Sequence, residues 1–207
     1  MQSRRDFLKV GLLALPAWLL GRPALAAVGR PAPLPAVDLG FLAARLKLRR
    51  RSAWTRFLPT AGKLRAAGGF NRVTLHHAGA TPLFLKAQDS VIRELDGVLT
   101  AHRQRRYGDI GYHFVVDYGG AVWEGRSLAY EGAHVLSANE HNVGVMLLGN
   151  FEEQKPSVDQ VAAATWLVSL LRGRFRIPAH RVYGHRDLGQ SVCPGRYVYD
   201  HVVRMRS

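Results

Sequence analysis

The sequence predicts an α/β domain in which a mixed central β-sheet is flanked by helices. Three observations lead there. Arg72–His77 alternates apolar and polar residues and carries Val and Thr, as a strand does. Gly111–Arg126 reads as strand, turn and strand, so one antiparallel hairpin is expected. Between and after these run two segments, 84–105 and 157–172, whose apolar residues recur at the helical period. Strands interleaved with helices build a sheet covered on both faces. At 207 residues, 47% of them hydrophobic, the chain is long enough for one such domain with a sizeable core.

The N-terminal 26 residues read as an export signal. Ser3-Arg4-Arg5-Asp6-Phe7-Leu8-Lys9 is a twin-arginine pattern, the run Val10–Leu20 is apolar, and Ala24-Leu25-Ala26 offers a small-x-small cleavage site. Pro16 interrupts that eleven-residue run, and a membrane-spanning helix needs about 20 apolar residues. A signal peptide is therefore expected rather than a stable transmembrane anchor; the alternative is a basic amphipathic N-terminal helix. The partners implied are the twin-arginine export machinery and a periplasmic or otherwise exported workplace. Residues 27–50 form a Pro- and Ala-rich linker and a basic segment, in which 41–51 has helical spacing and ends in Arg49-Arg50-Arg51. That triplet is either a solvated helix end or an electrostatic contact with the wall or inner membrane. Residues 51–207 are the folded domain.

In the helix over 84–105, Val91, Ile92, Leu95, Val98, Leu99 and His102 share a stripe, and His102 falls near the C-terminus, where positive charge is favoured. Tyr118-Gly119-Gly120 turns the hairpin, whose alternation puts Tyr112, Phe114 and Val116 on one face and His113 on the other. Val143–Leu148 is almost wholly apolar, as suits a central strand buried on both faces. Ser157-Val158-Asp159-Gln160 is a capping signature opening the next helix. Arg181–Tyr183 is a short strand, and a final helix is expected over Arg196–Arg204.

The chemistry concentrates in Gly184-His185-Arg186-Asp187-Leu188-Gly189-Gln190-Ser191-Val192-Cys193-Pro194-Gly195, which holds the only cysteine, eight positions after His185. Imidazole and thiolate are zinc ligands, and a catalytic zinc keeps three protein ligands and one open position. The strand ending in His76-His77 can supply the third. Since strand side chains alternate, only one of that pair can enter a given site. The bland alternatives are a buried structural cysteine and a loop histidine.

The apolar run ending in His-His, the later Gly-Tyr-His-Phe hairpin, and Gly-His-Arg-Asp followed by Cys-Pro-Gly occur in that order. Together they resemble the zinc amidase family shared by peptidoglycan recognition proteins, phage lysozymes of the amidase type and bacterial N-acetylmuramoyl-L-alanine amidases. The resemblance runs over about residues 50–205; Arg51-Ser52-Ala53-Trp54 is similar to, though not identical in order with, a Ser-Arg-x-x-Trp segment of the recognition proteins. It implies one zinc ion per chain on His76, His185 and Cys193, with His77 behind the ligands and Tyr112 facing the metal as an oxyanion donor. Ser191 stands where phage amidases carry lysine and many animal recognition proteins threonine, and is implied as a second catalytic residue that offers the oxyanion at most a neutral hydrogen bond, weaker than a lysine's. His134, on a Gly-x-His loop, is implied as a substrate contact. Some recycling amidases carry a glutamate base in the strand corresponding to Gly144–Gly149, and this chain has no carboxylate there. Asp187, two residues past His185, is placed either to orient a ligand imidazole or to form a loop salt bridge with an arginine.

The implied reaction is hydrolysis of the amide between N-acetylmuramic acid and L-alanine; the alternative is a muropeptide-binding module without turnover, or a wall-attachment protein in which zinc only folds the domain. Formal net charge is +14, or +11 once residues 1–26 are removed. Such charge attracts polyanions, yet no zinc-finger spacing, RNP motif or aromatic-interleaved basic stripe is present. Peptidoglycan carboxylates and wall or lipid phosphates are therefore the expected partners, not nucleic acid, and the chain is expected to act as a monomer.

Overall fold

The computed structural model describes residues 38–207. The export signal and most of the linker lie outside the described residues. Six strands form one sheet in the order β1-β4-β3-β5-β2-β6. They span Lys47–Arg49 (β1), Arg72–His77 (β2), Phe114–Val116 (β3), Ala121–Glu124 (β4), Asn142–Leu147 (β5) and Val182–Gly184 (β6). Only β3 and β4 pair antiparallel; every other neighbouring pair is parallel. The mixed sheet expected from the sequence is what the chain forms.

Strand alternation splits the core in two. On one face Val73, Leu75, Val143, Val145, Leu147, Phe114 and Val116 pack against α3 (Val158–Phe175) and α4 (Arg196–Arg204). On the other, Val115, Trp123, Met146 and Leu148 pack against Val91, Leu95 and Leu99 of α2 (Gln88–Gln104). β5 is buried at all six positions between β3 and β2. The Ser157 hydroxyl accepts from the Gln160 amide and so caps α3 as its signature predicts. At the hairpin turn the Asp117 carboxylate accepts from the Gly119 and Ala121 amides and from the Trp123 indole. Among the described residues, no helix is long and apolar enough to cross a membrane.

The helical spacing over 41–51 does not become one helix. Gly40–Ala43 forms a four-residue α1, and Lys47–Arg49 instead joins the sheet as β1, parallel to β4. Leu39 and Leu42 enter the core under α3, and edge pairing decides the conformation of the residues that follow. Within the arginine triplet Arg49 and Arg50 stay exposed, and only Arg51 turns inward. Arg50 pairs with Glu124 at 3.1 Å, and Arg51 pairs with the buried Asp109 at 2.8 Å while donating to the Gly125 carbonyl.

Candidate metal centre

The parallel pairing of β2 and β6 builds this site. Leu75 lies opposite Gly184, the last residue of β6, so the next residues along each chain, His76 and His185, emerge side by side. The C-terminal edge of parallel strands is where open α/β sheets place ligands. The segment after His185 then folds back, the Arg186 amide donating to the Cys193 carbonyl at 2.8 Å, which returns Cys193 to the same edge. Gly195 fixes the end of this return. Its φ is +88°, and a Cβ there would lie 2.4 Å from the Phe151 carbonyl carbon, so only glycine fits.

One donor atom each from His76, His185 and Cys193 lies within 4.8 Å of the others. His76 Nδ1 is 3.6 Å from Cys193 Sγ. Zinc–nitrogen and zinc–sulfur bonds of about 2.0–2.3 Å place tetrahedral donors about 3.3–3.8 Å apart, so this pair already has the spacing of zinc ligands. The donor types fit as well: two imidazoles and a thiol are ligands zinc takes, and three is the number of protein ligands at a catalytic zinc.

Burial sets the protonation states. His76, 1% exposed, is held well below the usual imidazole range by desolvation and then by the neighbouring His134, His185 and His77. Burial likewise lowers His185. The Cys193 thiol is pushed up to about 12 by burial, against the opposing pull of the His77 amide and Arg186. That amide donates to Sγ at 3.3 Å. His77 thus sits behind the site through its backbone, while its ring points to the other face of the sheet and accepts from the Phe151 amide.

Tyr112 borders the donors, its ring centroid 5.2 Å from that of His76. Burial raises its phenol well above the ordinary value, so the hydroxyl keeps its proton. The alternation that grouped Tyr112 with Phe114 fails, because β3 begins only at Phe114. Tyr112 packs instead with the cluster of Val115 and Trp123, the face that His76 shares. Two cavities, of about 400 and 360 Å³, meet at Tyr112, His102 and Arg105 and open one groove along the C-terminal half of α2. A larger hollow of about 550 Å³ beside Arg50, Arg56 and Phe57 contains none of the donor residues.

Three further residues gain definition at this level. His102 carries no positive charge: burial lowers it to about 4, and its Nδ1 accepts from the Gly111 amide at 2.8 Å. Asp187 touches no imidazole. It accepts from the Gly184 amide and the Tyr199 hydroxyl and pairs with Arg206, tying the segment after β6 to α4. Of the two readings weighed for it, the salt bridge is the one formed. His134 lines one cavity but is only 9% exposed, and both its ring nitrogens are engaged inside the protein, by His76 at 3.0 Å and by the Asn142 carbonyl at 3.2 Å. Besides lining that cavity, where the expected substrate contact would be made, His134 thus touches a candidate ligand. Ser191 accepts from the Cys193 amide at 3.1 Å and so shapes the turn that carries the thiol. Sequence reasoning missed Asn142 entirely; an asparagine opening an apolar strand is the only signal it left.

The chain matches the family model described as N-acetylmuramoyl-L-alanine amidase over residues 67–196. Among similar proteins, peptidoglycan-recognition protein LB of Drosophila melanogaster is 27% identical over 187 residues, covering 88% of this chain and 79% of that protein. Peptidoglycan-recognition protein SC2 of the same species is 29% identical over 143 residues, 68% of this chain and 76% of the other. Of solved structures, a Drosophila PGRP-LB mutant in complex with tracheal cytotoxin superposes with a TM-score of 0.68 at 26% identity, covering 77% of this chain and 95% of that one. The N-acetylmuramoyl-L-alanine amidase LysC of Clostridium intestinale shares the fold with a TM-score of 0.63 at 22% identity, over 76% and 95% of the two chains.

Proposed function

The chain belongs to the N-acetylmuramoyl-L-alanine amidase family, and from that premise we propose that it hydrolyses the amide between N-acetylmuramic acid and the L-alanine of a peptidoglycan stem peptide. The observation that carries this reading is the meeting of His76, His185 and Cys193 beside an open groove. An amide carbonyl is a poor electrophile, so its hydrolysis needs a strong nucleophile and a stabilised oxyanion. One zinc ion on these three residues supplies, when bound, a nucleophile from water at neutral pH and a Lewis acid for the carbonyl.

The protein's own groups divide the remaining work. His76 and His185, kept neutral by burial, present lone pairs rather than charge. Cys193 gives up its proton on ligation, helped by the His77 amide aimed at its sulfur. Tyr112, held protonated, donates to the oxygen that gains charge as the tetrahedral centre forms. Arg105, common to both cavities around Tyr112, gives the groove a positive rim for an anionic muropeptide. The complex of a related recognition protein with tracheal cytotoxin supports a ligand of peptidoglycan origin.

Incubation of the purified chain with sacculi, followed by mass spectrometry, tests the reaction. Expected products are glycan strands with free lactyl carboxylates and stem peptides with a free L-alanine amine. Binding to sacculi with no such release would instead establish the recognition-only reading.

The proposed workplace is the bacterial envelope, on the strength of Arg4-Arg5 and the apolar run behind them. Exchanging both arginines for lysine leaves the charge unchanged but removes the pair that the export machinery reads. Precursor is then expected to accumulate in the cytoplasm, as fractionation and immunoblotting would show. Undiminished periplasmic levels would rule the signal out.

A further inference from the structure

We propose that His134 is a positioning residue, which holds His76 in the tautomer that presents Nδ1 to the metal and takes its own orientation from the Asn142 carbonyl. The inference takes from the amidase reading only that His76 is a ligand.

The protons can be placed one bond at a time. A carbonyl oxygen only accepts, so the His134 Nε2 that lies 3.2 Å from Asn142 O carries hydrogen. The ring is buried and no carboxylate is among its hydrogen-bond partners, so it is neutral and its Nδ1 is bare. That bare nitrogen lies 3.0 Å from His76 Nε2, which must therefore be the protonated nitrogen of His76. What remains is His76 Nδ1 with its lone pair, and this is the atom 3.6 Å from Cys193 Sγ. A strand carbonyl thus sets the tautomer of His76 through one intervening ring.

The surroundings are arranged to keep that ring in place. Within the buried strand β5, Gly144 leaves the sheet bare under His134; a Cβ there would come within 2.5 Å of the ring. The Asn139 side chain accepts from the His134 and Val135 amides at 2.8 and 2.9 Å. Asn142 contributes beyond its carbonyl. Its side chain donates to the Ala138 carbonyl and accepts from the Thr74 hydroxyl, two residues before His76 on β2. The loop that brings His134 is therefore pinned to the two strands whose ends it serves.

Partners behind metal-bound histidines typically govern affinity by about 10–100-fold, and the test reads affinity rather than turnover. In His134→Phe the zinc dissociation constant, measured by competition with a chromophoric chelator, is expected to rise within that range. Nitrogen–proton NMR of the metal-free parent is expected to show His76 as a single Nε2–H tautomer, and the variant a mixture. His134→Asn returns an acceptor near the position of Nδ1 and is expected to recover most of the lost affinity. A folded His134→Phe with the parent's zinc affinity and an unchanged His76 tautomer would overturn the proposal. Should that variant not fold, Gly144→Ala displaces the intact ring from beneath, and parental zinc affinity there would overturn it equally. A parent that binds zinc with His76 in the stated tautomer yet releases no stem peptide would end the amidase reading and leave this one standing. A parent that cleaves sacculi while His134→Phe keeps full zinc affinity would do the reverse.

Discussion

Cys193→Ala is expected to abolish turnover on muramoyl peptides and to reduce bound zinc from about one per chain to a small fraction of that. The thiolate is the only anionic donor of the three, and Sγ stands 3.6 Å from His76 Nδ1, so no neighbour can take its place without moving the return segment. The backbone of that segment has its own supports, including the Arg186 amide to the Cys193 carbonyl, so the variant should still fold. Alanine at His76 or His185 is expected to act alike. Metal analysis by mass spectrometry beside an activity assay decides the matter: full activity of Cys193→Ala after exhaustive chelation would end the zinc reading.

Tyr112→Phe should lower kcat by about 10²–10³, the usual loss for one oxyanion donor, with little change in KM. Its phenol stays protonated, its ring flanks His76, and it lies where the two cavities join. Ser191 occupies a different position in the division of labour. Its oxygen accepts from the Cys193 amide, so Ser191→Ala weakens a turn rather than removing a charge-stabilising donor. That loss, on the order of one neutral hydrogen bond, should cost about tenfold or less in rate. Kinetics of both variants on a muramoyl-tripeptide separate the roles. A more damaging Ser191→Ala would refute this division while leaving the metal centre untouched.

Much of the frame was legible because it depends on local periodicity. β2 occupies Arg72–His77 as its alternation indicates, and α4 begins and ends at Arg196 and Arg204 as expected. α3 starts directly after its Ser157 cap but runs on to Phe175, past the Arg172 expected from its stripe. What was not legible depends on partners distant in the chain. Residues 41–51 carry a helical pattern, yet β4 offers a free edge and takes Lys47–Arg49 as a strand. Alternation places Tyr112 on a face only if the strand already runs there, and β3 begins at Phe114, so a count through the irregular backbone before it has no meaning. His102 sits where a helix end favours positive charge, but the Gly111 amide needs an acceptor at that point and burial removes the charge. The meeting of His76, His185 and Cys193 was anticipated from the order of motifs. The use of His134 was not, because it depends on a carbonyl whose direction no sequence displays.

The separation of the donors along the chain has a thermodynamic consequence. His76 and Cys193, whose donor atoms lie 3.6 Å apart, are separated by 117 residues of chain, and His185 reaches them only when β6 has docked on β2. An ion that requires all three donors therefore binds the folded chain and finds no comparable site on the unfolded one. Under that linkage, free zinc at a hundred times its dissociation constant raises the unfolding free energy by about 2.7 kcal/mol. The melting temperature then becomes a gauge of free zinc around the protein, and chelation lowers the melting point of the whole sheet, not of the metal loop alone.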